Sequence, residues 1–151
     1  MKNDKYNWDN LNRLQIGKYA EYYAKMEFTS YGFDVYTSEV DDKGIDFVIR
    51  NQKSKYYEIQ VKSLRGSGYI FMQKSKFELS NSLYASIVIF NNGKKPNVYL
   101  IPSTKWKKET PLLRSRDYKG KKSEPEWGLN VSKKNLYELD KYTFENIVHK
   151  L

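Results

Sequence analysis

The stretch that decides the fold of this chain spans positions 43–65 and reads KGIDFVIR-NQKSK-YYEIQVKSLR. Its first and last blocks are rich in Val, Ile, Phe and Tyr, and the five residues between them are polar. This pattern predicts two β-strands joined by a tight loop. Because side chains alternate between the two faces of a strand, Glu58, Gln60 and Lys62 share one face of the second strand.

The predicted hairpin brings polar side chains together in a mostly apolar sheet. Antiparallel pairing places Asp46 near Gln60 and Lys62, and unpaired buried charge is costly. Two interpretations are open. In the first, Asp46 and Lys62 form an ion pair or are solvated at a sheet edge. In the second, Asp46 and the Gln60 carbonyl are oxygen ligands of a divalent cation, and Lys62 lies near an attacking water or a phosphate oxygen. That second arrangement suits phosphodiester hydrolysis.

The two blocks resemble a family motif. The sequence GID at 44–46, the hairpin, and EIQVKS at 58–63 are similar to the PD-(D/E)XK nuclease superfamily, and most closely to Holliday junction resolvases and related restriction-endonuclease-like domains. The resemblance extends over positions 11–90. It implies that Asp46 is the acid that closes the first strand and that Lys62 is the lysine of the second.

The resemblance also assigns the remaining acidic positions of the motif. It implies that Glu21, on the helix before the hairpin, is the helix acid that joins the metal site. Gln60 occupies the place where the family usually has a second Asp or Glu. This amide reduces the charge available to a metal ion, and Glu58, one strand step earlier on the same face, is a candidate to compensate.

The activity implied by the resemblance is that of a Mg2+- or Mn2+-dependent endodeoxyribonuclease, with structure-selective cleavage as a finer expectation. Asp46, Glu21, Gln60 and the main-chain oxygen of Val61 would hold the metal. The catalytic set would be Asp46, Gln60, Lys62 and Glu21, with Lys62 positioning or deprotonating water. DNA is the first expected partner and RNA the second, and a homodimer is left open.

Two alternatives to a nuclease stay open at this stage. The first is a nucleic-acid-binding module of the same fold that has lost the chemistry, and Gln60 is its main support. The second is a protein-interaction protein, such as an inhibitor or immunity partner, which would use the 14 tyrosines of the chain at an interface.

Composition limits the class of protein. The chain has 151 residues, enough for one domain, with a net charge of +9 and a pI of about 9.5, which favours nucleic acid as a partner over lysine serving only solubility. It lacks cysteine and has one histidine, which excludes disulfides and thiolate zinc sites and argues against a histidine-based site. No apolar run approaches the ~20 residues of a membrane span, and the first residues do not resemble a signal peptide. We therefore expect a cytoplasmic protein without a membrane partner.

Hydrophobic periodicity outside the hairpin predicts a single α/β domain with a central mixed sheet flanked by helices, of the restriction-endonuclease-like type. The core is expected at 8–102, a basic segment at 103–126, and a C-terminal strand and helix at 127–151. The individual predictions are a helix at 7–30 with a stripe of small residues, a strand at 33–38, a helix or helical turn at 73–81, a buried strand at 84–90 parallel to 56–65 through a helical crossover, a strand at 98–101, an edge strand at 127–131, and one or two final helices.

The segment 103–126 differs from the rest because basic residues alternate there with Trp106 and Tyr118. Such a mixture suits phosphate contacts with stacking of bases or sugars, and a solvated, partly mobile loop is the alternative. Asp41 and Asp42, just before the hairpin, do not match a calcium loop and are expected to be solvated. The residues expected to contact nucleic acid are Lys43, Arg65, Lys105, Lys107, Lys108, Arg114 and Arg116.

Overall fold

The hairpin predicted at 43–65 is the centre of a five-stranded sheet in the computed structural model, which describes residues 4–40 and 43–151. Its strands are β2 (Phe47–Arg50) and β3 (Tyr56–Arg65), paired antiparallel with Phe47 opposite Ile59. The expectation for Asp41 and Asp42 falls outside the described residues.

Three further strands complete this first sheet. β1 (Asp34–Thr37) pairs antiparallel with β2, β5 (Leu83–Phe90) pairs parallel with β3, and β6 (Asn97–Pro102) pairs antiparallel with β5. β5 is almost wholly buried, as its continuous apolar run predicts for a strand covered on both faces. The predicted mixed sheet and the parallel pairing of its two central strands are confirmed.

A second sheet of three strands, β4 (Gly68–Gln73), β7 (Leu113–Arg116) and β8 (Glu126–Val131), was not predicted. Its order is β4-β8-β7, so the predicted edge strand at 127–131 is in fact the central strand of this sheet. The edge assignment was wrong because β8 pairs on both sides, with the nearby β7 and with β4, which lies more than 50 positions earlier in the sequence. The predicted helix at 73–81 is also wrong: only a 3-10 turn, Lys74–Lys76, forms there, and the crossover from β3 to β5 runs through β4.

The helices are α1 (Arg13–Ser30), α2 (Leu136–Leu139) and α3 (Phe144–Val148). α1 begins later than predicted, because Asn12 caps it: its side chain accepts from the Gln15 N–H, and the Gln15 side chain accepts from the Asn12 N–H. Short 3-10 helices occupy Trp8–Asn10, Ser103–Lys107, Lys133–Asn135 and Asp140–Tyr142.

The two faces of the first sheet are covered by different layers. α1 and α3 pack on one face, where Ala24 and Phe28 meet Phe47, Ile59 and Phe144 in the core. The second sheet packs on the other face, where its buried residues, among them Met72, Leu129 and Val131, join those of β5 and β6. Val61, Val98 and Tyr142 each contact two of the apolar clusters, so the core is continuous. In the part of the chain that the structure describes, no helix is long and apolar enough to cross a membrane.

Candidate active site

The predicted polar side chains lie together in a cleft beside the end of β2. The paired register of β2 covers only positions 56–59 of β3, so β3 from Gln60 onward extends past its neighbour. The space left beside this extension, about 370 Å3, is closed on the other side by β4 and the turn after it. The cleft is lined by Gly44, Asp46, Gln60, Val61, Lys62, Phe71, Gln73 and Lys76.

Asp46 is held at the edge of β3 by two hydrogen bonds to the backbone of that strand. Its N–H donates to the Ile59 carbonyl (2.9 Å), and its Oδ2 accepts from the Val61 N–H (2.6 Å). Because the N–H and C=O of one strand residue point to the same side, the Val61 carbonyl also faces this side of β3. The carboxylate is half-buried. The arrangement brings together, beside the end of β2, a carboxylate and a carbonyl oxygen that could act as metal ligands.

Gln60 places a buried amide oxygen in the cleft. It is 7% exposed, and its Oε1 is buried without a hydrogen-bond partner among the described residues. Leaving a buried acceptor unpaired costs about 1–3 kcal/mol, so a ligand for this oxygen would recover that free energy. An amide oxygen beside a carboxylate fits Mg2+, which proteins bind through a few oxygen ligands together with water and phosphate.

Gly44 allows the chain to enter the cleft closely. Its φ is +77°, and a Cβ there would lie 3.1 Å from the Lys76 carbonyl oxygen and 3.5 Å from the Gln60 Nε2. A larger residue would therefore be strained and would press against Lys76, while its contact with Gln60 would be an ordinary one. The glycine of the sequence motif thus lets the chain pass close to Lys76 and Gln60 just before Asp46.

Lys62 connects this cleft to a second one of about 510 Å3, and the two share Val61, Lys62 and Phe71. The second cleft lies between β4 and the first half of α1, which contributes Arg13 and Lys18. Of the described residues that line the two clefts, four are cationic, and Asp46 is the only carboxylate. The joined clefts therefore form a basic groove with one acid in the first cleft, which suits a polyanion. The cations are Arg13, Lys18, Lys62 and Lys76.

Two further acids were predicted near the metal, Glu21 as a ligand and Glu58 as a compensating charge. The Glu21 carboxylate is paired with Lys25 (3.0 Å) and Lys18 (3.5 Å) on its own helix. Neither glutamate is among the residues that line the cleft of Asp46. Within the described ranges, no group of three or more His, Cys, Asp or Glu side chains is placed to hold a metal. The structure thus brings Asp46, Gln60 and Lys62 together, and the ligand role of Glu21 stays a prediction.

The basic segment is more ordered than a solvated loop. It contains the 3-10 helix at 103–107 and the strand β7, and Trp106 is 1% exposed, with its indole N–H donating to the Gly128 carbonyl (2.8 Å). The prediction that Trp106 stacks on nucleic acid was wrong, because its large apolar side chain is in the core. Lys105, Lys107 and Lys108 are exposed, and Arg114 is paired with Glu109 (3.2 Å).

The remaining predicted nucleic-acid contacts differ in their surroundings. Lys43 is exposed, and it directly precedes Gly44, which lines the cleft of Asp46. Arg65 is also exposed, and its guanidinium donates to the Leu11 carbonyl at the start of α1. Arg116 extends across the second sheet, with its guanidinium carbon 4.3 Å from the centre of the Tyr69 ring.

Tyr69 is a wall residue of the groove that sequence reasoning missed. Its hydroxyl and that of Tyr118 both donate to the buried Glu126 carboxylate. Burial, together with this hydrogen bond, raises the pKa of Tyr69, so the hydroxyl stays a donor at all ordinary pH values. The ring crosses Gly128, where a Cβ would lie 2.0 Å from the Tyr69 oxygen. No local signal links these residues, because Tyr69 and Glu126 are 57 positions apart.

Fold and cleft together define an α/β domain with a carboxylate, a buried amide oxygen and a lysine in a basic groove. No family model matches the chain, and no curated protein sequence matches it. Among solved structures, it is similar to Hjc, a Holliday junction resolvase from the archaeal hyperthermophile Archaeoglobus fulgidus, at 15% identity and a TM-score of 0.49, over 76% of this chain and 83% of that one.

Proposed function

We propose that this protein is a metal-dependent endonuclease that hydrolyses phosphodiester bonds of DNA. The observation that supports this most strongly is the buried, unpaired Gln60 Oε1, which lines the same cleft as Asp46 and Lys62. Buried acceptors in folded proteins nearly always have a partner, so an oxygen that the described residues leave without one is available to a ligand or a water. The four cations of the groove supply the attraction for a phosphate backbone.

In this proposal, the Asp46 carboxylate and the Gln60 Oε1 hold Mg2+ or Mn2+, and the Val61 carbonyl and Glu21 are the further candidate ligands. Such a cation polarises a phosphoryl oxygen and lowers the pKa of water. Lys62 orients the attacking water and offsets the negative charge that develops on the phosphoryl oxygens. The hydrogen bond from the Val61 N–H keeps Asp46 in place, and Arg13, Lys18 and Lys76 hold neighbouring phosphates.

The direct test is incubation of the protein with supercoiled, linear and branched DNA and with RNA, each in Mg2+, Mn2+ or a chelator. We expect cleavage of DNA that depends on the metal and stops with the chelator. Binding of nucleic acid without cleavage in any metal would instead favour the inactive binding module. That second candidate is supported by Gln60, a neutral amide that leaves Asp46 as the only carboxylate among the described residues that line the cleft.

Replacement of Gln60 by Glu is expected to tighten Mg2+ binding by roughly tenfold, because affinity rises with the number of charged oxygen ligands. Titration calorimetry on the folded variant measures this directly. Gln73→Glu is the matched control, since Gln73 lines the same cleft from β4 and adds the same charge. Unchanged affinity in Gln60→Glu, or equal tightening in both variants, would place Gln60 outside the coordination sphere.

Charge reversal at Lys107, Lys108, Arg114 and Arg116 is expected to weaken DNA binding and to reduce the slope of log affinity against log salt by about 0.9 for each lost phosphate contact. Fluorescence anisotropy at several salt concentrations gives the slope. Reversal of Lys53, Lys55, Lys133 and Lys134, which lie outside the basic segment, changes the net charge equally and is the control. Equal slopes for the two variants would show that the segment makes no backbone contact of its own.

A further inference from the structure

Phe71 is an exposed aromatic side chain in a groove that also carries four cations and the exposed Leu14. It lines both clefts and is 47% exposed, whereas the next residue, Met72, is buried in the core. The buried part of β4 therefore belongs to Met72, and the fold does not require an aromatic residue at position 71. Leaving a phenyl ring in water forgoes the free energy of its burial, so a ligand that covers it would gain that free energy.

The surroundings of Phe71 indicate which ligand this is. Lys62 lines both clefts with it, Lys76 lies in the first cleft, and Arg13 and Lys18 lie in the second. An aromatic face among cations is the combination that binds single-stranded nucleic acid, in which the cations follow the phosphates and the ring stacks on a base. A purely apolar peptide would make no use of the four cations, and a simple anion would leave the ring in water.

The geometry of β4 leaves the Phe71 ring on the surface of the second sheet rather than in the core. Phe71 pairs with Gly128 on β8, and Gly128 pairs with Arg114 on β7, so Phe71 and Arg114 lie in one row on the outer face of the second sheet. Tyr69, two positions earlier on the same face, is fixed by Glu126 and by the Arg116 guanidinium. Phe71 thus stands between the fixed Tyr69 ring and the cleft of Asp46, with Arg114 further along the same surface.

We infer that Phe71 stacks on an unpaired nucleobase next to the phosphate held at Asp46 and Lys62, and that the site prefers DNA with unpaired nucleotides at the groove over a continuous duplex. The inference rests on the proposed function and specifies its substrate. In a continuous duplex, both faces of each base are already stacked, and exposing one costs a few kcal/mol. A duplex therefore gains little from Phe71, whereas an unpaired base is free to stack on it.

The test measures binding in the presence of a chelator, so that cleavage does not interfere. Two labelled DNAs of equal length are compared, one fully paired and one with an internal unpaired stretch. We expect the parent protein to bind the second more tightly, and Phe71→Ala to weaken that binding by roughly 5- to 150-fold while changing duplex binding little. Phe71→Trp should keep the preference, and Phe71→Leu, which has apolar area without a π-face, should behave like Phe71→Ala.

Tyr137→Ala is the matched control, because Tyr137 is an aromatic residue on α2 that is 66% exposed and is not among the residues lining the groove. Equal affinity of the parent for both DNAs, an equal loss on both in Phe71→Ala, or full rescue by Leu would overturn the inference. These outcomes leave the proposed function intact if the parent cleaves DNA. Conversely, a parent that shows the Phe71-dependent preference but cleaves no DNA supports this inference and contradicts the proposed function.

Discussion

Replacement of Asp46 by Asn is expected to lower metal-dependent DNA cleavage by roughly 10²- to 10³-fold or more, since it removes the charge that would attract the metal. The amide oxygen of Asn can still accept from the Val61 N–H, the bond that positions residue 46. The fold should therefore be kept, and metal affinity measured by calorimetry should fall together with the rate. DNA binding should stay the same or rise, because a negative charge in the groove has gone.

Asp34→Asn is the control for Asp46→Asn. Asp34 is also a strand carboxylate of the first sheet, but it lies on β1, and its side chain is mostly exposed. We expect its cleavage rate to equal that of the parent protein. An Asp46→Asn variant that cleaves DNA at the parental rate would remove Asp46 from the metal site and end the proposed mechanism.

Replacement of Lys62 by Ala is expected to reduce turnover by roughly 10²- to 10³-fold, as for loss of one group that stabilises transition-state charge. Metal affinity should stay unchanged, because an ammonium group is not a metal ligand. DNA binding should weaken by no more than one phosphate contact, which reduces the salt slope by about 0.9. Single-turnover rates and anisotropy separate these quantities.

Lys76→Ala is the matched control for Lys62→Ala, because it removes a second lysine from the same cleft. Lys76 is exposed on the turn after β4 and is proposed only to hold a neighbouring phosphate. The Lys76→Ala variant should therefore bind DNA more weakly, with little change in the single-turnover rate at saturating DNA. Equal losses of turnover in Lys62→Ala and Lys76→Ala would deny Lys62 a special place at the reacting phosphate.

Thermal unfolding separates catalysis from the structural interpretation of the same residues. If Asp46 and Lys62 are simply a buried ion pair, removing either leaves an uncompensated charge at a cost of about 3–5 kcal/mol. If the two residues are instead kept for function, replacing either one should leave the stability of the protein unchanged or raise it. Large and similar losses of unfolding free energy in the two variants, together with a parent protein that does not cleave nucleic acid, would support the structural interpretation.

Much of the first sheet could be predicted from local sequence. The alternation in 56–65 and the polar residues at 51–55 define the hairpin, and the apolar run of β5 marks a strand covered on both faces. The same alternation placed Gln60 and Lys62 on one face and Asp46 opposite them, and all three line one cleft. These features depend on neighbours in sequence or on one short loop, so the pattern of residues is sufficient.

The second sheet and the groove depend on contacts between distant positions, which the sequence alone did not reveal. β4 finds its partner β8 more than 50 positions later, and Trp106, expected at the surface, is buried between these layers. Backbone pairing and core burial at such distances follow from which layers pack, not from local periodicity. Likewise, the residue types at 21, 46, 60 and 62 were evident from the sequence alone. Glu21 pairs with Lys18 and Lys25 within one turn of its own helix, which is a local contact. Only the tertiary structure leaves the Gln60 oxygen without a partner among the described residues and places Phe71 in the same cleft, because those outcomes depend on how the two sheets pack.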